Sequence, residues 1–140
     1  MSEVVTLRYD VIPGDFIKAG EASSDVKRKL KDMGISSDSI RKTAIAMYEG
    51  EINMVIHSVG GYAEIKIYPE EINILLVDSG PGIENVEQAM SAGFTTAHDD
   101  IRALGFGAGM GFPNMRKYTD EMIVLSKLGK GTEVRMKVKI

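Results

Sequence analysis

The sequence predicts a mixed α/β chain, and three observations carry that prediction. An opening strand is followed by two long helical patterns, a pair of strand-like runs occupies the middle, and a second such pair closes the chain at Ile140. Val4 to Val11 reads as the first strand. Pro13-Gly14-Asp15 then starts a helix running to about Met33, with Gly34 as its C-cap. Lys27, Arg28, Lys29 and Lys31 fall in its last turns, where cations suit the helix dipole. That placement favours a solvated face over a partner-docking face. Ser36 to Asp38 caps a second helix reaching about Val59. Tyr62 to Tyr68 and Ile72 to Val77 form a hairpin around Pro69-Glu70-Glu71. A short helical pattern covers Ile83 to Met90, another covers Phe112 to Tyr118, and the strands Glu121 to Lys127 and Thr132 to Ile140 meet at Gly129-Lys130-Gly131.

Composition limits the chemistry. With 140 residues, 44% apolar content and a formal charge of -3, the chain is expected to be one soluble domain with a substantial core. The absence of cysteine excludes disulfides, thiol nucleophiles and thiolate metal sites, and fits a reducing cytoplasm. There is no long apolar run and no basic, apolar leader, so neither membrane spanning nor export is expected. A mildly acidic chain is also a poor nucleic-acid binder. Seven of the fifteen glycines lie between Gly80 and Gly111. Structured elements resume on both sides of this segment, which favours a lid over a linker.

The second helix carries the first candidate site. At 100° per residue, Ile45, Tyr48, Ile52, Val55, Ile56 and Val59 fall within an arc of about 100°, the expected core-facing stripe. Glu49, Asn53 and His57 follow at steps of about 40° along one border of it. Gly50 lies among them, and a glycine inside a helix costs roughly 1 kcal/mol against alanine, so it asks for a reason; room for a ligand is one. Glu and Asn four residues apart also occur on solvated helices, and a His near a helix end is favoured by the dipole, so both structural readings stand beside the functional one.

The strand ending Ile72-Asn73-Ile74-Leu75-Leu76-Val77-Asp78 carries the second. Alternation puts Asp78 on the same face as Ile72, Ile74 and Leu76, and a carboxylate ending an apolar row needs donors. A purine amino group is one candidate; a hydroxyl or backbone N–H is the structural alternative. Thr132 is in phase with Val134, Met136, Val138 and Ile140, while Glu133, Arg135, Lys137 and Lys139 face solvent. Gly80 and Gly82 let backbone approach a flat ligand. The run from Gly105 through Gly107 and Gly109 to Gly111 precedes a helix, where free amides suit phosphates, although the run also fits a flexible connection. It is neither a P-loop nor a dinucleotide fingerprint.

The order Glu49-x-x-x-Asn53-x-x-x-His57, Asp78-x-Gly80-x-Gly82, a glycine-rich box and Gly-Thr entering the last strand resembles the ATPase superfamily of gyrase, heat-shock chaperones, histidine kinases and MutL. Within it the chain looks most like the small stand-alone anti-sigma-factor kinases, including the switch-kinase branch of bacterial stress signalling. The likeness covers nearly the whole chain. It implies a two-layer α/β sandwich, a mixed sheet with helices on one face, forming a single ATP-binding domain over residues 1–140 with a lid at about 92–111.

By position, the resemblance implies Asn53 as the Mg²⁺ ligand and Glu49 as the general base. Asp78 would accept from the adenine amino group with Gly82 and Thr132 beside it, and Gly105, Gly107, Gly109 and Gly111 would wrap the phosphates. The box reads Gly-Phe-Gly-Ala-Gly-Met-Gly where many relatives have leucine between the glycines, so lid packing is expected to differ. Thr95, Thr96 and Arg102 are candidate phosphate contacts or solvated loop residues. His98 falls in the lid rather than on a dimerisation helix. No phospho-acceptor helix pair precedes the domain and no transducer domain fits the length, which leaves a kinase acting on a separate protein. The implied function is a cytoplasmic, ATP- and Mg²⁺-dependent protein serine/threonine kinase acting on a STAS-type antagonist. The resemblance also implies a sigma factor or another regulator as a further partner, and a homodimer as a family habit. The alternatives are a binding module switched by ATP and ADP, and a structural domain without nucleotide. Glu49 separates the first two, because transfer needs a base and binding does not.

Overall fold

A computed structural model describes residues 5–12, 14, 18–57, 60–79, 111–127 and 130–140, with only the backbone of residues 57, 111 and 127. Among the described residues are five strands and three helices: β1 (Val5–Val11), α1 (Glu21–Asp32), α2 (Ser37–His57), β2 (Gly61–Ile67), β3 (Glu71–Asp78), α3 (Gly111–Lys117), β4 (Glu121–Lys127) and β5 (Gly131–Lys139). The strands form one sheet in the order β1-β2-β3-β5-β4. The two-layer α/β arrangement is the expected one. Where a mixed sheet was implied, each of the four ladders between described strands is antiparallel. The reason lies in the connections: the α1–α2 pair returns β2 antiparallel to β1, two tight links make hairpins, and β5 slots between β3 and β4.

Alternation divides the sheet into two faces. Ala63, Ile65 and Ile67, then Ile72, Ile74 and Leu76, then Val134, Met136 and Val138 are buried on the helix side. Lys66 and Arg135 point away into solvent, and so do Ile123 and Leu125 on the edge strand. Ile140, expected in the buried row, is exposed at the chain end.

The first helix begins later than Asp15, at Glu21, and its start is built from outside the segment. Gly20 takes φ +94°, a left-handed conformation that glycine adopts without steric cost. The carboxylate of Glu51 on α2 then accepts N–H groups from Gly20 at 2.9 Å, Ser23 at 3.1 Å and Ala22 at 3.3 Å. A helix leaves its first amides unpaired and carries partial positive charge there, so one carboxylate satisfies three donors and the dipole together. Glu51 is only 4% exposed as a result. Replacing it with Ala strands three buried amides, and a loss of about 2–3 kcal/mol in folding free energy is expected by urea unfolding, with α1 fraying first by hydrogen exchange.

The expected C-cap is present. Gly34 has φ +77°, its N–H reaches Lys31 O at 3.0 Å, and Ile35 N–H reaches Leu30 O at 3.2 Å. The basic cluster is solvated and partly paired in place: Arg28 and Lys29 both reach Asp25, the latter at 3.0 Å. Asp25 also accepts the Tyr9 hydroxyl at 2.5 Å, which ties α1 to β1. That bond, then the Lys29 contact, holds the Asp25 carboxyl below its ordinary value, while burial and then the same bond push the Tyr9 phenol up. Ser36 Oγ accepts the Ser39 N–H at 3.3 Å, the expected cap of α2.

The face that α2 turns to the sheet is not the expected one. Ile40, Thr43, Met47, Gly50 and Met54 run along the buried line, with Ala46, Glu51 and Val55 beside them. Of the predicted stripe, Ile52 and Val55 are buried, Ile45 and Ile56 are half-buried, and Tyr48 is 40% exposed. At Gly50 the helix lies close against the sheet. A Cβ on Gly50 would sit 2.0 Å from Leu76 Cδ1 and 3.5 Å from Met115 Sδ. The reason for Gly50 is therefore helix–sheet contact, not room for a ligand. No helix among the described residues is long and apolar enough to cross a membrane.

Candidate active site

The close approach of α2 places the candidate residues. Gly50 lies over Leu76, and one turn later the Met54 methyl lies against Gly61, 2.5 Å from where a Cβ would stand. Helix α2 thus tracks β3 toward its end at Asp78. Glu49 and Asn53, one turn apart and both half-buried, rim that track on one side. The predicted placement of these two at a border of the core face therefore holds, although the face itself is rotated.

Asp78 sits at the middle of a three-strand row, with Gly61 opposite on β2 and Thr132 opposite on β5. It is half-buried at the end of the apolar row Ile72, Ile74, Leu76. Thr132 is 8% exposed, and its Oγ1 lies 2.9 Å from Ser126 Oγ on β4. Two glycines bracket Asp78, and sequence reasoning did not assign either to the site. A Cβ on Gly61 would stand 2.4 Å from Val77 O, and one on Gly131 would stand 2.1 Å from Asp78 O. The Gly-Thr pair entering β5 thus has a steric cause: Gly131, at φ +101°, lets β5 pass the Asp78 carbonyl so that Thr132 can face the carboxylate's strand.

A second residue that sequence reasoning missed is Asn114. Helix α3 packs against α2, with Met115 buried and its sulfur beside Gly50. That anchor brings Asn114 Nδ2 to Glu49 Oε1, to which it donates at 3.1 Å. Sixty-five residues separate the partners, so no local pattern could have revealed the pair. Gly111 opens α3. Gly80, Gly82, Gly105, Gly107, Gly109, Thr95, Thr96, His98, Arg102 and the His57 side chain lie outside the described residues, as do the predicted helix at Ile83 to Met90 and all but Gly111 of the predicted lid. A groove of about 880 Å³ opens elsewhere, lined by Tyr9, Lys18, Arg28, Tyr48 and Glu51 among others, and it includes none of the predicted site residues.

A family model described as histidine kinase-, DNA gyrase B- and HSP90-like ATPase matches residues 35–140, which takes in Glu49, Asn53, Asp78 and Thr132. The chain belongs to this ATPase family. The expected resemblance is thereby borne out, and this family's site is one for ATP. Similar curated proteins are anti-sigma F factors. That of Caldanaerobacter subterraneus is 42% identical over 100 residues, 68% of this chain and 65% of the relative. That of Clostridium novyi is 37% identical over 117 residues, 79% of this chain and 78% of the relative. The chain thus spans a little under two thirds of the first of these relatives. Among solved structures, a mycobacterial sensor histidine kinase, MprB, superposes with a TM-score of 0.56 over 96% of this chain and 97% of its own. At 15% identity it carries the fold alone.

Proposed function

We propose that this ATPase-family chain is a protein serine/threonine kinase that phosphorylates a small STAS-type antagonist and also binds a sigma factor. The observation that carries this reading is the juxtaposition on α2: a half-buried carboxylate, Glu49, which accepts the Asn114 amide and lies one turn from the amide of Asn53, at the end of the sheet where Asp78 lies. The similarity to anti-sigma F factors supports the sigma factor as a partner, and the STAS-type antagonist follows from the family resemblance of the sequence.

The donor set fits the nucleotide. A half-buried carboxylate at the end of an apolar row suits an exocyclic amino group beside a flat base, and in this reading Asp78 accepts that donor with Thr132 and Gly82 beside it. Mg²⁺ keeps several waters and relies on one or two protein oxygens together with phosphate oxygens, and in this reading the Asn53 amide oxygen would be the protein's share. When bound, Mg-ATP supplies the γ-phosphoryl group. Glu49 would accept the proton of the incoming serine or threonine hydroxyl, and by the family resemblance Gly105, Gly107, Gly109 and Gly111 would hold the phosphates while Gly80 would let backbone approach the base.

Calorimetric titration of Mg-ATP tests the site. Asp78→Asn keeps the shape and removes the charge that accepts the amino group, and affinity is expected to fall at least tenfold, about 1.4 kcal/mol. Absence of binding to the wild-type protein overturns the reading.

A further inference from the structure

Helix α3 is more than a prop for the sheet. Only seven residues long, it is fixed to α2 by the buried Met115 in the notch left by Gly50, and its end is closed by Thr119 Oγ1 donating to Met115 O at 2.8 Å. Tyr118 N–H to Asn114 O at 3.1 Å continues the same turn. With the helix so held, the half-buried Asn114 amide donates to Oε1 of Glu49 at 3.1 Å. A glutamate side chain has three rotatable bonds, and an amide donor on one oxygen selects among their rotamers while leaving the second oxygen able to accept a proton.

We infer that Asn114 is a positioning residue for phosphoryl transfer: it fixes the Glu49 carboxylate by Oε1 so that Oε2 meets the substrate hydroxyl. The inference rests on the kinase reading and goes beyond it by assigning a task to a residue of α3. In the step concerned, the hydroxyl oxygen bonds to phosphorus as the bond to the ADP oxygen breaks. The hydroxyl proton passes to Oε2, and Asn114 keeps its own protons throughout. A residue that acts this way changes the rate of the chemical step and not the affinity for nucleotide.

Asn114→Leu keeps the side chain's branching and heavy-atom count and removes the donor. Asn114→Asp keeps the shape and sets a carboxylate against a carboxylate. Transfer of labelled γ-phosphate to a serine-bearing STAS-domain protein is expected to fall about tenfold or more in kcat for both, with Mg-ATP affinity unchanged, because misplacing a reacting group by about 1 Å costs on the order of a hundredfold. Asn114→Gln, which retains the amide, is expected to recover part of the loss. The side-chain amide signals of Asn114 in nitrogen-edited NMR give a readout that needs no turnover. In the wild-type protein they are expected to be shifted and protected from solvent exchange, and to move to solvent-like values in Glu49→Ala. Signals insensitive to Glu49, or wild-type kcat in both Asn114 variants, overturn the positioning role while leaving the kinase reading intact. A wild-type protein that binds Mg-ATP and transfers no phosphate overturns the kinase reading, and the positioning role with it.

Discussion

Glu49→Gln is expected to lower the rate of phosphoryl transfer by about two to four orders of magnitude while leaving Mg-ATP affinity within about twofold, since a positioned general base contributes on that scale. In barrier terms this is about 3–5 kcal/mol. The substitution isolates basicity. Gln has the length and branching of Glu, and its side-chain oxygen can still accept the Asn114 amide that the structure brings to Glu49 Oε1 at 3.1 Å. The neighbouring Asn53, one turn along α2, is untouched, and the core line through Met47, Gly50 and Met54 does not involve this side chain. Two measurements on one preparation decide the matter: single-turnover transfer of labelled γ-phosphate, and calorimetric binding of Mg-ATP. A lost rate with retained affinity assigns Glu49 to the chemical step. If both fall together, Glu49 holds the nucleotide. Wild-type transfer in the variant places the base elsewhere.

Much of the architecture was legible in the sequence because its signals are local. The turn at Pro69-Glu70-Glu71, the αL glycine at Gly34 and the Ser36 cap each act within a few residues, and each fixes an element where it was expected. Strand alternation put Asp78 and Thr132 each in phase with an apolar row, and the register sets them opposite each other.

What the sequence hid depends on distance through space. The start of α1 was misread because Gly20, Ala22 and Ser23 are capped by Glu51, about thirty residues on, rather than by a neighbour. The face of α2 was misread because large aliphatic residues were taken to mark the core. The buried line instead runs through Ile40, Thr43, Met47, Gly50 and Met54, with Gly50 set where the helix lies nearest the sheet, leaving Ile45 and Ile56 at the rim. The Asn114 amide and the steric task of Gly131 likewise emerge only when two distant segments meet.

The most severe structural substitution at the site is expected to be Gly131→Ala. Two penalties combine there. The backbone sits at φ +101°, where an L side chain is strained by roughly 1–2 kcal/mol. The added methyl would also stand 2.1 Å from Asp78 O and 2.9 Å from Ser79 Cα. Those are backbone atoms of the adjacent strand, so no side-chain rotation relieves the contact, and overpacking of this kind adds about 1–3 kcal/mol or more. The sum, about 2–5 kcal/mol by urea unfolding, is a large fraction of the stability of a chain this size. If the variant folds, the strain is released by parting β5 from β3 at the Asp78–Thr132 pair, so Mg-ATP affinity falls as well. Gly34→Ala supplies the contrast: its φ of +77° carries the same kind of backbone strain, but a Cβ there meets nothing within 4 Å and the site is far along the chain. It is expected to cost about 1 kcal/mol and leave nucleotide affinity unchanged. Equal losses for the two variants would mean that β5 can give way at Asp78, and that the glycine before Thr132 serves only its own backbone angle.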